Sequence, residues 1–203
     1  MNFDDAAQGW DTPMRQVRAK ILAALIRNSW KERPDSVLDF GCGTGLIAFE
    51  LREYAGMVYG YDASSEMGRV FQEKRAALEA DNVRFLNAEE MRSRTYDVIF
   101  SSMVMHHIPD VEAEISGLKR LLKPGGRLIW IDLDVEDGSF HADDPDFQGH
   151  NGFSRDEVKS ILTNRGFRDI RVGTVFEGEK QLSGGAVPYS LFKAVAERGC
   201  LKD

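Results

Sequence analysis

Cysteine is scarce in this sequence of 203 residues, which contains only Cys42 and Cys200. One lies within a glycine-rich stretch and the other is close to the C-terminus. The two thiols are therefore not expected to form a structural disulfide. The sequence also lacks the closely spaced cysteines that hold structural metal ions, and no metal is predicted.

Long apolar runs are also missing. No segment approaches the roughly 20 consecutive apolar residues that a transmembrane helix needs. Residues 1–5 are acidic and carry no apolar core of the kind found in secretory signal peptides. These two absences predict a cytoplasmic protein without a membrane partner.

Positive charge is outweighed by negative charge. The chain has 26 Lys and Arg against 33 Asp and Glu, which gives a formal net charge of -7. Nucleic-acid binding needs a concentrated basic surface, so nucleic acid is not predicted as a partner. The length and the 42% hydrophobic content predict one globular domain over residues 1–203, as a monomer or a homodimer.

The most informative stretch is residues 37–45, with the sequence VLDFGCGTG. It reads as a short buried strand and a glycine-rich turn, with a helix beginning near Leu46. Three glycines within five residues allow a sharp turn and a close approach of a ligand to the backbone. A strand, a glycine turn and a helix N-terminus in this order favour a nucleotide-like ligand.

Strand and helix patterns alternate along the rest of the chain. Strands are predicted at 36–40, 57–61, 83–86, 96–101 and 127–133, and two more at 168–177 and 187–196 with no helix between them. Helices are predicted at about 13–30, 46–53, 64–79, 111–122 and 154–165. The alternation predicts an α/β fold with a doubly wound, mostly parallel sheet, helices on both faces and an antiparallel finish. Ligands of such folds bind beyond the carboxyl ends of the strands.

Two segments have no regular pattern. They are the N-terminal arm, residues 1–10, which contains Phe3 and Trp10, and residues 134–153, which contain His141 and His150. A loop as long as the second is usually either functional or disordered. We expect both segments to cover the ligand, although Trp10 could instead pack against the edge of the sheet.

Four ordered segments resemble the class I, Rossmann-like S-adenosylmethionine-dependent methyltransferases, and in particular small bacterial enzymes without an added substrate domain. The segments are 37–45 (VLDFGCGTG), 58–64 (VYGYDAS), 96–108 (YDVIFSSMVMHHI) and 121–132 (LLKPGGRLIWID). The resemblance implies a seven-stranded sheet of order 3-2-1-4-5-7-6. It also implies a division of labour in which residues 1–33 form a lid, 34–133 hold the cofactor, 134–153 face the substrate and 154–203 form the C-terminal helix and strand pair.

The same resemblance implies S-adenosylmethionine as cofactor and S-adenosylhomocysteine as product. Asp62 would accept hydrogen bonds from the ribose hydroxyls, and Asp39 would hold the donor's amino group or position the glycine turn. The alternatives are that Asp62 caps the next helix and that Asp39 binds backbone N–H groups. Asn87 stands where the family usually has an aspartate, and its amide oxygen would accept from the adenine amino group. The implied cofactor-binding residues are Asp39, Gly41, Cys42, Gly43, Gly45, Asp62, Ala63, Asn87, Ala88, Ser101, Met103 and Trp10.

Four histidines could approach the reacting end of such a site, and they are His106, His107, His141 and His150. Methyl transfer is an in-line displacement, and a general base is needed only if the acceptor is protonated. We predict that His150, His141 or His106 is that base or a hydrogen-bond partner of the substrate. Because adjacent side chains point in different directions, at most one of His106 and His107 is expected to face the substrate. A histidine-rich metal site is disfavoured because the sequence shows no close ligand spacing.

The sequence therefore predicts an enzyme that transfers a methyl group from S-adenosylmethionine to a small molecule. A non-catalytic protein that binds the same cofactor is an alternative, because Asn87 departs from the family pattern. A protein methyltransferase and an NAD-binding oxidoreductase are further alternatives. The oxidoreductase is disfavoured because Gly45 comes one residue earlier than the third glycine of the dinucleotide fingerprint.

Overall fold

The sheet is the framework on which every other element is placed. A computed structural model describes residues 2–199 of the chain. Within these residues seven strands pair in the order β3-β2-β1-β4-β5-β7-β6. The strands are β1 (Ser36–Phe40), β2 (Met57–Tyr61), β3 (Val83–Phe85), β4 (Tyr96–Ser102), β5 (Leu122–Leu133), β6 (Phe167–Leu182) and β7 (Gly185–Arg198). Strand β7 runs antiparallel to both of its neighbours, β5 and β6, whereas all the other pairs of neighbouring strands in this sheet are parallel. The strand order and the antiparallel finish expected from the sequence are confirmed.

Seven helices either precede β1 or connect successive strands among the described residues. They are α1 (Phe3–Ala6), α2 (Pro13–Arg27), α3 (Leu46–Leu51), α4 (Ser65–Ala77), α5 (Ala88–Arg92), α6 (Val111–Leu121) and α7 (Arg155–Asn164). Short 3₁₀ turns lie at Ala7–Gly9, Arg52–Tyr54, Met105–His107 and Ser139–His141. The predicted helix starts are confirmed by capping hydrogen bonds, since the side chains of Thr12, Ser64 and Ser154 each accept from a backbone N–H in the first turn.

The structure differs from the sequence-based expectation at several places. Strand β5 begins at Leu122 and not at residue 127, and the N-terminal arm contains helix α1. Helix α5 is not predicted, yet Asn87 and Glu90 form a reciprocal capping box at its start. Helix α2 ends at Arg27, before the predicted end near residue 30. Strands β6 and β7 are longer than predicted, because the hairpin between them continues to the pair Leu182–Gly185. Cys200 lies outside the described residues, so the expectation about a disulfide concerns a part of the chain that the structure does not describe.

The core consists of two hydrophobic layers, one on each face of the sheet. Adjacent residues of one strand belong to different layers: Val37 and Ile129 to one, Leu38 and Trp130 to the other. This alternation follows from the two-residue period of a strand. Both layers are covered by helices, which is why the central strands read as continuous apolar runs.

The long loop, residues 134–153, is closed at its base. Asp134 and Phe153 form an isolated bridge, and the N–H of Phe153 donates to the carbonyl of Leu133 at 2.9 Å. Phe153 is buried against Trp130 and Phe192, with ring centroids 5.0 Å apart in the first pair. The loop therefore leaves from and returns to the carboxyl end of β5.

The far part of the loop rests on the extended hairpin. Lys180 of β6 donates to the carbonyl of Phe140, and the backbone and hydroxyl of Ser183 donate to Asp143. These contacts join the loop to the part of the hairpin that extends beyond the predicted strands. Among the described residues, no helix combines the length and the apolar character needed to cross a bilayer.

Asp97 joins three segments at the amino ends of the strands. Its carboxylate accepts from the N–H and the hydroxyl of Ser36, at 2.9 and 2.8 Å, and from Lys123 at 2.8 Å. Burial opposes ionisation of this carboxyl, but the Lys123 ammonium and the Ser36 donors outweigh it and lower its pKa. Its stabilising contribution is therefore present above its unfolded pKa of 3.8 and is lost as the pH falls through the lower folded value.

We expect Asp97→Asn to lower the free energy of unfolding by about 1–3 kcal/mol at neutral pH, because hydrogen bonds to a charged acceptor are lost. Urea unfolding of the wild type and of Asp97→Asn should show that this difference in the free energy of unfolding becomes smaller as the pH is lowered toward 3.8 and below. The control is Asp81→Asn, which changes an exposed carboxylate without side-chain hydrogen bonds in the described structure. A gap that stays constant with pH would contradict the assignment of this stabilisation to the ionised carboxylate.

Candidate functional site

The glycine turn, residues 41–45, connects β1 to α3 and is tied to the end of β2. The N–H groups of Gly41 and Cys42 donate to the carbonyl of Tyr61 at 2.8 and 3.0 Å. The carboxylate of Asp62 accepts from the N–H of Gly43 at 2.7 Å. These three hydrogen bonds fix the turn to the neighbouring strand.

Only glycine fits at two positions of the turn. Gly41 and Gly45 have φ values of +77° and +84°. A Cβ on Gly41 would lie 2.3 Å from the Val104 side chain, and one on Gly45 would lie 2.6 Å from the Phe71 ring. The turn thus packs directly against the segment that follows β4, as a close backbone approach requires.

Two acidic residues lie beside the turn. Asp39 is buried, and burial together with the charge of Asp62 raises the pKa of its carboxyl well above the usual value, although the N–H of Ala48 donates to it. Burial also raises the pKa of the Asp62 carboxyl. Hydrogen bonds from the N–H groups of Ser64, Gly43 and Ala63 lower this pKa, but burial outweighs them. Within residues 2–199 neither carboxylate forms an ion pair. A cationic group at this place would relieve their desolvation.

The other residues predicted at the amino acid end of the cofactor line the same place. Cys42 is buried, its thiol lies 3.4 Å from the carbonyl of Gly43, and burial raises the thiol pKa well above the usual value. Ser101 is buried at the end of β4, and its hydroxyl has no hydrogen-bond partner in the described structure. Met103 has a φ of +60°, which is uncommon for a residue other than glycine. Such local strain is typical of functional sites.

The residues predicted near the adenine follow β2 and β3. Ala63 is exposed and directly follows Asp62. The amide oxygen of Asn87 accepts from the N–H of Glu90 at 2.9 Å. Ala88 is the first residue of α5, where N–H groups have no acceptor within the helix. The capping bond occupies one acceptor position of Asn87, whereas the N–H of Ala88 points out of the helix start.

The N-terminal arm lies across the glycine turn. The indole nitrogen of Trp10 would be 3.4 Å from a Cβ on Gly43. Asp11 accepts from Thr44 at 2.5 Å and pairs with Lys74 at 2.7 Å. Asp4 accepts from the hydroxyl of Ser64 at 2.5 Å. The arm is therefore fastened to the turn and to the start of α4.

A cluster of three histidines lies at the end of β4, and it is called here the histidine cluster: His106, His107 and His141. The ring centroids of His106 and His107 are 4.0 Å apart, and His141 lies 5.2 and 5.7 Å from them. The structure differs from the expectation that adjacent side chains diverge, because the 3₁₀ turn at Met105–His107 brings both rings to the same side. Phe3 of the arm contacts His107, with centroids 5.1 Å apart.

His106 is the innermost member of the cluster. It is buried, and its Nδ1 lies 2.5 Å from the carboxylate of Asp132 at the end of β5. Burial opposes ionisation of Asp132, but the His106 ring and the hydrogen bonds from Leu133 and Trp130 outweigh it and lower its pKa. The carboxylate fixes the orientation of the His106 ring and leaves Nε2 as its other polar atom.

The outer two members are kept uncharged at neutral pH. Burial, and then the neighbouring His106 ring, lowers the pKa of His107 to about 3 and the pKa of His141 to about 4. The Nδ1 atom of His141 is buried without a hydrogen-bond partner among the described residues. Its ring stacks on Phe147 at a centroid distance of 3.6 Å. His107 and His141 therefore present neutral imidazole nitrogens.

His150 is close to the cluster but is used differently. Its Nε2 lies 3.0 Å from the carbonyl of Ile108, and its backbone N–H donates to the carbonyl of His106 at 2.7 Å. Its ring packs against Phe153. His150 thus fastens the loop of residues 134–153 to the turn that carries His106.

Sequence reasoning missed three contributors to this arrangement. His107 was set aside in favour of His106, and Asp132 and Asp11 were not singled out. The run ending in Asp132 did contain a signal, because a carboxylate at the end of a buried parallel strand lies at the ligand edge of such a sheet. The approach of His141 to the other two histidines had no signal in their sequence spacing.

A cavity of about 390 Å³ lies at the opposite end of the strands, lined among others by Arg127, Lys193 and Glu197. The Lys193 ammonium donates there to the carbonyl of Leu25 and to Ser29. None of the candidate site residues lines this cavity. This cavity is therefore separate from the candidate site.

Comparison with known proteins gives the family. A family model described as a methyltransferase domain matches residues 14–172. An uncharacterised methyltransferase of Schizosaccharomyces pombe is 32% identical over 165 residues, which cover 72% of this chain and 58% of that protein. A ubiquinone biosynthesis O-methyltransferase of Coxiella burnetii is 27% identical over 139 residues, covering 63% of this chain and 58% of the relative. The chain thus spans less than two thirds of the length of these relatives.

Solved structures share the fold. A S-adenosylmethionine-dependent methyltransferase from Aquifex aeolicus has a TM-score of 0.69 and 24% identity, covering 96% of this chain and 97% of that one. A phosphoethanolamine N-methyltransferase of Haemonchus contortus has a TM-score of 0.71 and 19% identity, and the match covers 89% of this chain and 53% of that one. The resemblance drawn from the sequence is confirmed: the chain belongs to the methyltransferase domain family and has its Rossmann-like, class I fold.

Proposed function

We propose that this chain transfers a methyl group from S-adenosylmethionine to a small-molecule acceptor. The observation that carries the proposal is the pair of desolvated carboxylates, Asp39 and Asp62, beside a glycine turn that leaves room for a ligand at the backbone. The donor has an ammonium and a sulfonium group, and both are cations that such carboxylates would favour. Membership of the methyltransferase domain family supports the same assignment.

The donor would lie along the carboxyl ends of β1, β2 and β3. Asp39 would face its ammonium group, and Asp62 would accept from the ribose hydroxyls with the lone pairs that Gly43 and Ser64 leave free. Ala63 and the N–H of Ala88 would meet the adenine. The capping bond of Asn87 favours a supporting role for that side chain beside the adenine.

The methyl group would emerge toward the end of β4. Gly41, Cys42, Gly43 and Gly45 would border the amino acid part of the donor, and Ser101 and Met103 its methionine side chain. The histidine cluster follows within a few residues and marks the acceptor side. We keep His106 and His141 as candidates for contact with the acceptor, and we assign His150 to positioning because its ring nitrogen is bound to Ile108.

The chemistry at this place needs alignment more than activation. A lone pair of the acceptor forms a bond to the methyl carbon while the electron pair of the carbon–sulfur bond returns to sulfur, which becomes a neutral thioether. If the acceptor is a hydroxyl, its proton must also leave, and a neutral imidazole of the histidine cluster is placed to accept it. Exclusion of water by the arm and by the loop would favour the transfer over hydrolysis.

We propose a matching division of the single domain, residues 1–203. Residues 34–133 hold the donor, residues 1–33 and 134–153 cover it, and residues 154–203 complete the sheet. The free thiol of Cys42 fits a reducing, cytoplasmic compartment. The net charge of -7 supports a small molecule rather than nucleic acid as the acceptor, in a monomer or a homodimer.

Donor binding is the first test. A ligand that binds only the folded state raises the melting temperature, so S-adenosylhomocysteine should raise it and NADH should not. We expect Asp62→Asn to weaken binding of S-adenosylhomocysteine by about tenfold or more, because hydrogen bonds to a charged acceptor contribute roughly 1.5–3 kcal/mol. Isothermal titration calorimetry measures the change. Glu89→Gln, an exposed acidic residue beyond β3, serves as the matched control and should bind as the wild type does.

The proposal fails if S-adenosylhomocysteine neither binds nor shifts the melting temperature of the wild type. If Asp62→Asn and Glu89→Gln weaken the binding of S-adenosylhomocysteine equally, the protein still binds the donor product, but Asp62 is not specifically part of the binding site. Because Asp62 also holds Gly43, circular dichroism of the variant must match that of the wild type before the affinities are compared.

The arm gives a second test. Asp11→Asn removes the charge that pairs with Lys74, so the arm should open more readily and release the donor product faster. We expect the dissociation rate of S-adenosylhomocysteine to rise about fivefold, since a partly buried pair contributes about 1 kcal/mol. Stopped-flow fluorescence of Trp10 would follow the step. Asp5→Asn is the control, because Asp5 is exposed on α1 and has no side-chain contact in the described structure. Unchanged release in Asp11→Asn would show that the arm is not a lid.

A further inference from the structure

We infer that the histidine cluster is a binding site for a divalent metal ion of the zinc type. One ligand atom from each of His106, His107 and His141 lies within 4.8 Å of the others. The close ligand spacing that the sequence does not show is created by the fold, because the loop of residues 134–153 returns His141 to the turn that carries the other two.

One polar atom of the cluster is left unsatisfied by the described residues. The Nδ1 of His141 is buried without a hydrogen-bond partner in the described structure. An unsatisfied buried polar atom is uncommon in native proteins and calls for a missing water or ion. Three rings that share one small space would repel each other if protonated, whereas a single cation would satisfy all three lone pairs.

Asp132 supplies the support that metal-binding histidines usually have. Its carboxylate lies 2.5 Å from Nδ1 of His106 and also accepts from the N–H of Leu133 at 2.9 Å. A carboxylate on one ring nitrogen fixes the ring and raises the basicity of the other nitrogen, which is the common outer partner of a histidine ligand. The Nε2 atom of His106 is thereby prepared as a ligand.

The third ligand is held by an ordered part of the loop. The carboxylate of Glu136 accepts from the N–H groups of Gly138 and Phe140, at 2.8 and 3.0 Å, directly before His141. Phe140 is buried, and Phe147 stacks on the His141 ring. The imidazole is therefore positioned from both sides without help from a ligand.

The donor set selects the ion. Three imidazole nitrogens suit zinc and neighbouring transition metals, whereas magnesium and calcium prefer oxygen ligands. Three protein ligands also leave a fourth position open, which is the pattern of catalytic rather than structural zinc sites. Among these ions we commit to Zn²⁺, with Co²⁺ as its spectroscopic substitute.

The open position would serve the acceptor, and this part of the inference rests on the proposed function. The cluster follows β4, and Phe3 joins it to Trp10 above the glycine turn. An acceptor hydroxyl bound to the ion would lose its proton to water more readily, because the ion stabilises the resulting anion. That oxygen would then form the bond to the methyl carbon as the carbon–sulfur electron pair returns to sulfur. The acceptor class is thus a hydroxyl or phenol.

The test uses the full chain without a polyhistidine tag. Calorimetric titration with Zn²⁺ should give one site per chain, and Co²⁺ should give the visible absorption of a four-coordinate nitrogen site. We expect His141→Ala to lower the affinity for Zn²⁺ by about 100-fold or more, beyond the 10–100-fold typical for outer partners. The control is Gln148→Ala, which truncates an exposed side chain of the same loop that makes no hydrogen bond in the described structure. Its affinity should stay within about threefold of the wild type, as for a substitution away from the site.

Three results would overturn the inference: a wild-type chain that binds no Zn²⁺, equal affinity in His141→Ala and the wild type, or an equal loss of affinity in His141→Ala and Gln148→Ala. His107→Ala is a second variant that should lose affinity as His141→Ala does, in case either one folds poorly. Binding of S-adenosylhomocysteine by the same preparations separates the two proposals. If the chain binds S-adenosylhomocysteine but not Zn²⁺, the metal site is contradicted and the proposed function is not. If the chain binds Zn²⁺ but not S-adenosylhomocysteine, the proposed function is contradicted and the metal site is not.

Discussion

The hydrogen bonds between the end of β2 and the glycine turn are the constraint on which the site depends. The carbonyl of Tyr61 and the carboxylate of Asp62 together hold the N–H groups of Gly41, Cys42 and Gly43. They fix a turn that would otherwise be flexible, because glycine restricts the backbone least. With the turn fixed, Gly41 can pack against Val104, and the segment after β4 takes up the position from which His106 and His107 project. The two ends of the candidate site are thus set by one local arrangement.

Much of this arrangement could be predicted from the sequence. The glycines of residues 41–45 and the alternating strand and helix patterns determine a parallel sheet, and the carboxyl ends of such strands form a ligand site by topology. Asp39, Asp62 and Ser101 were predicted from the family resemblance, and each lies on or directly after a strand, where this topology places a ligand. Helix α5 escaped prediction because it is only five residues long and depends on a capping box rather than on a periodic apolar face.

The acceptor side could not be predicted in the same way. His141 reaches the cluster through a loop without periodicity, and its place depends on tertiary contacts, namely Lys180 with Phe140 and the bridge between Asp134 and Phe153. The paired rings of His106 and His107 depend on a 3₁₀ turn, in which neighbouring side chains are not constrained as they are in a strand. His150 shows the reverse case: its sequence position suggested chemistry, whereas its hydrogen bond to Ile108 gives it a supporting place.

The electrostatics of the two ends are opposite, and this separation suits a reaction between a cation and a nucleophile. Around the glycine turn, burial raises the pKa of two carboxyls that favour a positive donor. Around the histidine cluster, burial lowers the pKa of two imidazoles and keeps them neutral, so that they offer lone pairs and do not repel the sulfonium. Phe3 contacts the histidine cluster, Trp10 lies beside the glycine turn, and both residues belong to the same arm. Closing the arm would therefore desolvate both ends together, which strengthens the attraction at the first and the nucleophile at the second.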